Sequence, residues 1–362
     1  MSAIADAVPG DAPTGLVDPG YRSVALRAGG LAGRWRLRAL LVCAGLVVAA
    51  VTLAAVGLVV GDYPLTLPQV LAALTNDPDA GFARTVVVDW RLPRVLAGLV
   101  FGAALGAAGG AFQSLTRNPL ASPDVIGFST GSYTGALLVI IVIGGGYLQV
   151  AGGALVGGIL TAGVVYLLAW RRGVQGFRLI IVGIAVAAVL ASFNTWLMLT
   201  ANQELALTAA VWGAGSLNGT TWDQAIVGGG LVLVLLAAGA ALGPGLRQLE
   251  LGDDAARATG TRAEPVRLTV MLIAVALTAV VTAAAGPIAF VALSAPQIAR
   301  RLTRSPGIAV APAACTGALL LVGADLVAQH ALPTALPVGI VTVVAGGAYL
   351  VWLIIREVRH RA

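Results

Sequence analysis

The chain has 362 residues, of which 58% are hydrophobic and only 10% charged, against about a quarter charged in soluble domains. A mean hydropathy of +0.92 and recurrent apolar runs of about twenty residues, enough to cross a ~30 Å hydrocarbon core, exclude an ordinary soluble domain. The formal charge of +6 comes from arginine alone; with no lysine the chain lacks the GxxxxGK[ST] loop that cradles nucleotide phosphates.

Residues 1–38 carry Asp6, Asp11 and Asp18, several prolines and glycines, and then an arginine cluster. No short apolar segment stands near Met1, so this is not a cleaved signal peptide but a flexible cytoplasmic tail ending in a start-of-membrane charge signal. Ten spans follow, at about 40–61, 93–115, 124–143, 148–169, 179–200, 224–243, 266–285, 287–302, 309–329 and 337–355. The eighth is short and interrupted by Pro296. The expected fold is an all-α polytopic membrane protein of about ten transmembrane helices, with a transmembrane domain at 39–356 and a cytoplasmic tail at 357–362.

Arginine positions orient it. With the N-terminus inside, 19 arginines fall on the cytoplasmic side, including Arg117, Arg171, Arg172 and Arg178, while only Arg84, Arg91 and Arg94 fall outside. That asymmetry follows the positive-inside rule and explains the basic charge without nucleic acid; an even span count returns the C-terminus to the cytoplasm. Trp35, Trp90, Trp170, Trp222 and Trp352 lie near span ends, where interfacial anchors belong.

Residues 91–136 are the most informative stretch. Gly98, Gly102, Gly106 and Gly110 recur every four residues, and Gly127, Gly131 and Gly135 repeat the pattern after a polar turn. Such spacing places each set on one helix face, where missing side chains allow close backbone approach in lipid. Asn118-Pro119 shapes the turn between the second and third spans, because proline disfavours helix at the residue before it.

Cys43 and Cys315 sit in separate apolar runs and read as packing residues, and His330 and His360 offer no metal site. No nucleophile–base pair stands out, which points to a non-enzymatic chain. Uphill transport would then draw on an ion gradient or a separate ATPase. Residues 249–260, LELGDDAARATG, predict a helix of about two turns, started at Gly252–Asp253, favoured by Asp254 in its first turn and stopped at Gly260. So short a helix needs a supporting surface. It is either a docking site for an ATPase or an ordinary solvated loop helix. Asp325 in the ninth span forms a helix–helix hydrogen bond, sits at an interface, or couples to protons. Asn194 in the fifth span either lines a translocation path or bridges helices.

Together these segments resemble the permease subunits of ATP-binding-cassette importers for iron-siderophores and vitamin B12. The RxPR entrance reads Arg91-Leu92-Pro93-Arg94, the Gln-x-x-x-x-Asn-Pro-Leu-Ala turn occupies 113–121, and a glycine-rich third span covers 127–135. The LG-x-x-x-A-x-x-LG coupling motif reads 251–260 with Thr259 for its second leucine, GPIxFVGLxxPHxxR reads 286–300, and LPVGI reads 336–340. The likeness covers about 40–356, motifs in order.

That resemblance implies a type II importer fold of ten helices per subunit, in the bacterial cytoplasmic (inner) membrane. It implies a second permease, two cytoplasmic ATPase subunits that bind the ATP and magnesium, and an extracytoplasmic siderophore-binding protein; this chain itself binds no cofactor. Arg91 and Arg94 would meet acidic residues of the binding protein, with anchoring to lipid phosphates as the alternative. Gly252, Asp253, Asp254, Ala255, Ala256, Arg257 and Gly260 would dock into the ATPase. The chain departs from the family at Gln297, usually histidine, and at Gln329, usually arginine; the missing outer charge favours a heterodimer of unlike permeases over a homodimer. SPDVIGFSTGSYTGA most resembles permeases for ferric catecholate siderophores of the enterobactin type. Vitamin B12 or haem import, an ion-driven secondary transporter and a membrane scaffold are the alternatives.

Overall fold

The structure is a computed structural model describing residues 23–28, 31–124, 126–170, 176–307 and 309–361; Arg171 and Arg172 of the cytoplasmic arginine set lie outside them, as does most of the N-terminal segment. The chain divides into two units at Leu41–Val42. In the first, strand β1 (Ser23–Ala28) pairs antiparallel with β2 (Leu31–Arg36), in register from Ser23 opposite Arg36 to Ala28 opposite Leu31. The apolar alternation of Val24 and Leu26 is too short to stand out among arginines, so the tail reading of 1–38 contained no strands.

Everything else described is helical or turn. Helix α1 (Leu37–Val59) is followed by α2 (Leu67–Leu74), a 3₁₀ turn, and α3 (Phe82–Arg84). A π-helical turn (Thr85–Arg91) leads into α4 (Leu92–Thr116). Next come α5 (Phe128–Leu138) with a π turn to Ile143, α6 (Tyr147–Ala169), α7 (Gly176–Thr200), α8 (Gln203–Gly213) and α9 (Trp222–Ala241). Two short helices, α10 (Gly243–Glu250) and α11 (Asp253–Ala258), precede α12 (Ala263–Ala285), α13 (Val291–Thr303), α14 (Val310–His330) and α15 (Val338–Arg361).

A helix stands at each of the ten expected spans. Seven are long and apolar enough to cross a membrane; Phe128–Ile143 and Val338–Leu353 are shorter apolar helices, and α13, which contains Pro296, has 13 residues. The second span does not begin at 93: helix is continuous over Phe82–Thr116. Pro93 cannot donate a backbone hydrogen bond and crowds the preceding turn, and the wider π turn before it accommodates the ring. At the C-terminus α15 continues through the expected tail to Arg361.

The core is built on α4 and α12, whose most apolar stretches are 72% and 61% buried, whereas those of α1, α7 and α9 are 11–17% buried and lie at the periphery. Phe101, Leu105 and Phe112 of α4 are almost completely enclosed. The glycine stripe explains how closely α4 meets α14. A Cβ on Gly102 would stand 2.5 Å from the Gly317 carbonyl oxygen, and one on Gly106 would overlap the carbonyl of Ala313. Gly98 meets only side chains, Val322 at 3.2 Å and Leu217 at 3.5 Å. Gly131 and Gly135 of α5 pack in the same way on Gly157 and Gly153 of α6. Gly127 is different: it precedes α5 with φ +91°, a left-handed conformation that suits glycine, and lies against Gly183 and Ala187 of α7.

Candidate functional site

The predicted coupling segment, residues 249–260, takes in the last two residues of α10 and all of α11, at the end of the bundle where α4 finishes and α12 begins. Gly252 starts α11 with φ +117°, a conformation side chains rarely adopt, and so turns the chain sharply after Leu251. Asp253, read as a docking residue, faces inward to two arginines: Arg117 Nη2 donates to its Oδ1 at 2.8 Å and Arg267 Nη2 at 2.7 Å. Arg117, just beyond α4, also donates to the Leu249 carbonyl through Nε and Nη2, at 3.2 and 2.8 Å. Arg267 of α12 is buried and donates to Glu264 at 3.1 Å as well. Beneath α11, Ala256 is buried with Leu249 and Ala263, and Ser114 of α4 donates to Glu250. The segment is thus clamped to the two most buried of the long apolar helices.

Its other face is open. Leu251 is 76% exposed, Ala255, Arg257 and Gly260 are exposed, and Asp254 makes a loose 3.4 Å pair with Arg257. Leu251, Asp254 and Arg257 therefore form the accessible part, while Asp253 and Ala256 hold the helix in place.

Burial pushes the Asp253 carboxyl up, but the hydrogen bond and charge of Arg267, followed by those of Arg117, outweigh it and hold the group below the ordinary carboxylate range. Because the folded value is depressed, the stabilisation is complete above about pH 4 and is lost as pH falls through the folded value. The carboxyl is 37% exposed, so the effect is at most about 1 kcal/mol. The melting-temperature gap between wild type and Asp253→Asn is expected to shrink as pH falls below about 4. A gap that is unchanged with pH would show that the clamp contributes no charge-dependent stability.

At the opposite end of α4, Arg94 forms a bidentate pair with Asp325 of α14, Nε to Oδ2 and Nη2 to Oδ1, both at 2.8 Å. Gln329, one helical turn on, donates to Oδ2 at 2.8 Å. Asp325 therefore makes the helix–helix hydrogen bond considered from sequence, as an ion pair. Arg91 donates to the carbonyls of Leu58, Val59 and Tyr63, closing the end of α1. Both arginines expected to reach a partner are engaged within the chain.

Near the end of α4 that carries Arg117, the polar turn meets the eighth-span signature. Gln297 donates to Gln113 Oε1 at 2.7 Å and to the Pro119 carbonyl at 3.0 Å, and Gln113 donates to the Leu293 carbonyl at 3.0 Å. Asp124 Oδ2 accepts from the amide of Phe290, whose φ of +67° is unusual for a bulky residue. Asn194 of α7 is 5% exposed, and its Oδ1 is buried without a hydrogen-bond partner among the described residues. The outward face of α7 is mainly apolar, with Phe177, Val189, Trp196 and Leu199, and its exposed Ser192 and Thr195 hydroxyls donate back to their own helix. Among the described residues no cluster of His, Cys, Asp and Glu has the makings of a metal site.

Residues 33–356 match the model of the FecCD transport family. The chain belongs to that family. It is 50% identical over 325 residues to the ferric enterobactin transport system permease protein FepG of Escherichia coli strain K12, covering 90% of this chain and 98% of the relative. The achromobactin transport system permease protein CbrC of Dickeya dadantii is 36% identical over 322 residues, with 87% and 90% covered. A solved structure described as a metal-chelate type ABC transporter in an inward-facing conformation superposes with a TM-score of 0.78 at 26% identity, covering 88% of this chain and 99% of that one.

Gln297 is satisfied within the chain: its amide donates to Gln113, a residue of the turn motif, and to the Pro119 carbonyl. Sequence reasoning misses Arg117 and Arg267 as anchors, because arginines beside span ends read as cytoplasmic charges. The signal available was their proximity to the Asn-Pro turn and to the start of the seventh span, the two segments that flank α11.

Proposed function

We propose that this chain is the permease subunit of an ATP-binding-cassette importer that carries a ferric siderophore of the catecholate type across the bacterial cytoplasmic membrane. The observation carrying this reading is the 50% identity, along nearly the whole length of both chains, to a ferric enterobactin permease. Both termini and α11 lie on the cytoplasmic side. Two separate ATPase subunits bind and hydrolyse ATP with magnesium, and this chain performs no chemistry on its cargo. Leu251, Asp254, Ala255, Arg257 and Gly260 meet the ATPase. Closure of the ATPases pushes α11, and the Asp253 clamp passes the push to α4 and α12 as a rigid-body displacement.

An extracytoplasmic siderophore-binding protein docks at the other end, on the surface that Arg91 and Arg94 hold in shape. The partner in the membrane is a different permease, which supplies the outer charge replaced here by Gln329. The translocation path runs along the outward face of α7 rather than through Asn194.

The test is uptake of radiolabelled ferric siderophores by deletion cells expressing wild type or Asp254→Arg at matched membrane levels. Asp254 is the position to change because Asp253 serves the fold. Wild type is expected to restore uptake of ferric catecholate, and Asp254→Arg to lower it at least about tenfold, the effect of losing ~1.4 kcal/mol of coupling. Restoration by vitamin B12 or haem alone would overturn the cargo, and normal uptake by Asp254→Arg would overturn the docking surface.

A further inference from the structure

The two cysteines, Cys43 of α1 and Cys315 of α14, are both free and partly exposed. The packing of their helices brings them to the same level of the bundle. Leu53 lies 3.5 Å from where a Cβ on Gly323 would be, and Leu326 lies 3.3 Å from one on Gly57; Ala54 and Val322 share an apolar cluster. Steps toward the C-terminus of α1 are matched by steps toward the C-terminus of α14, so the helices run parallel here. On α1, Leu46, Ala50 and Ala54 form a buried stripe, and Cys43 extends it at helical spacing toward the N-terminus. On α14, Cys315 stands one heptad before Val322. Each thiol lies less than two turns, roughly 9 Å, from the start of its helix, and the parallel register that sets Leu53 by Gly323 and Gly57 by Leu326 carries Cys43 to the level of Cys315.

We propose that Cys43 and Cys315 form a dithiol redox site that a hydroperoxide closes into an intrachain disulfide, stapling α1 to α14. One sulfur, as thiolate, attacks a peroxide oxygen and becomes a sulfenic acid; the departing hydroxide takes up the released proton as water. The second sulfur gives up its proton and displaces a further water from the sulfenic acid as the S–S bond forms. The sulfur pair loses two electrons and the hydroperoxide gains them, so two thiols and hydrogen peroxide yield one disulfide and two waters. The position matters because α1 is a peripheral span, 17% buried along its apolar stretch, whereas α14 is seated backbone-to-backbone on α4 at Gly102 and Gly106. The disulfide fastens a lightly held helix to the core.

The test uses full-length protein purified in detergent under reducing conditions, then exposed to hydrogen peroxide. Maleimide labelling under denaturing conditions is expected to fall from both cysteines to none, with dithiothreitol restoring both. Proteolysis and mass spectrometry are expected to yield a Cys43 peptide joined to a Cys315 peptide. Cys43→Ser and Cys315→Ser are expected to yield no joined peptide and to leave the remaining sulfur trappable by dimedone. Thiols that stay alkylatable in wild type, separate oxidation of each sulfur without a joined peptide, or a disulfide between two chains would overturn the site. Because wild type carries the main readout, misfolding of a variant cannot mask the answer.

Discussion

Gly106→Leu is expected to abolish most recoverable folded protein. A Cβ at this position would overlap the backbone carbonyl of Ala313, and backbone cannot swing aside as a side chain can. Helices α4 and α14 must therefore separate, and the loss spreads along the whole seam, since Gly102 and Gly317 depend on the same close approach. Water gives no compensating drive within the bilayer, where helix association rests on van der Waals contact at small residues. A gap of even ~1 Å forfeits up to about half of each contact. The expected cost is at or above the ~3 kcal/mol upper range for overpacked cores. Fluorescence-detected size exclusion of the detergent-solubilised variant, with its melting temperature, measures this. Gly163→Leu is the matched control, because nothing lies within 4 Å of a Cβ there. Equal yields and melting temperatures for Gly106→Leu and wild type would mean that the seam does not hold the fold.

How much of this was legible in the sequence depends on whether the signal is local. The stripe of Gly98, Gly102 and Gly106 was readable because the period of a helix is contained in one short window, although its partner helix was not. Gly127 shares the spacing yet serves as a left-handed start to α5, a distinction that only the backbone angle reveals. The short coupling helix was readable from Gly252, the acidic first turn and Gly260. Its inward and outward faces were not: Asp253 and Asp254 are adjacent and identical, and only the placement of Arg117 and Arg267 separates a clamp from an exposed charge. Asn194 was left between two roles by sequence because an asparagine in an apolar span does not declare which side of the helix is covered. Its side chain is buried within this chain, a fact that depends on neighbours far along the sequence.

The same limit governed Arg94, whose partner is 231 positions away, and replacing Asp325 carries the second large effect. The pair's side chains are only 15% and 7% exposed, so both charges have given up most of their solvent. Such a pair is weak evidence for net stability, since removing two charges from water offsets much of their attraction. Removing one partner is another matter: Asp325→Ala leaves the Arg94 guanidinium desolvated with no carboxylate, at an expected ~3–5 kcal/mol. Gln329, which donates to Asp325 in the intact protein, is neutral and cannot replace the carboxylate as counter-ion. A lower melting temperature and reduced membrane abundance are expected for Asp325→Ala and also for Arg94→Met. The double variant Arg94→Met/Asp325→Leu is expected to recover much of either loss, because no charge is left stranded, and the resulting non-additivity measures the coupling between α4 and α14. If the two single losses simply add in the double variant, the ion pair is incidental to how these helices are joined. Recovery would instead assign Arg94 to the interior of the fold, and the docking surface at this end would be formed by the loops that the pair holds in position.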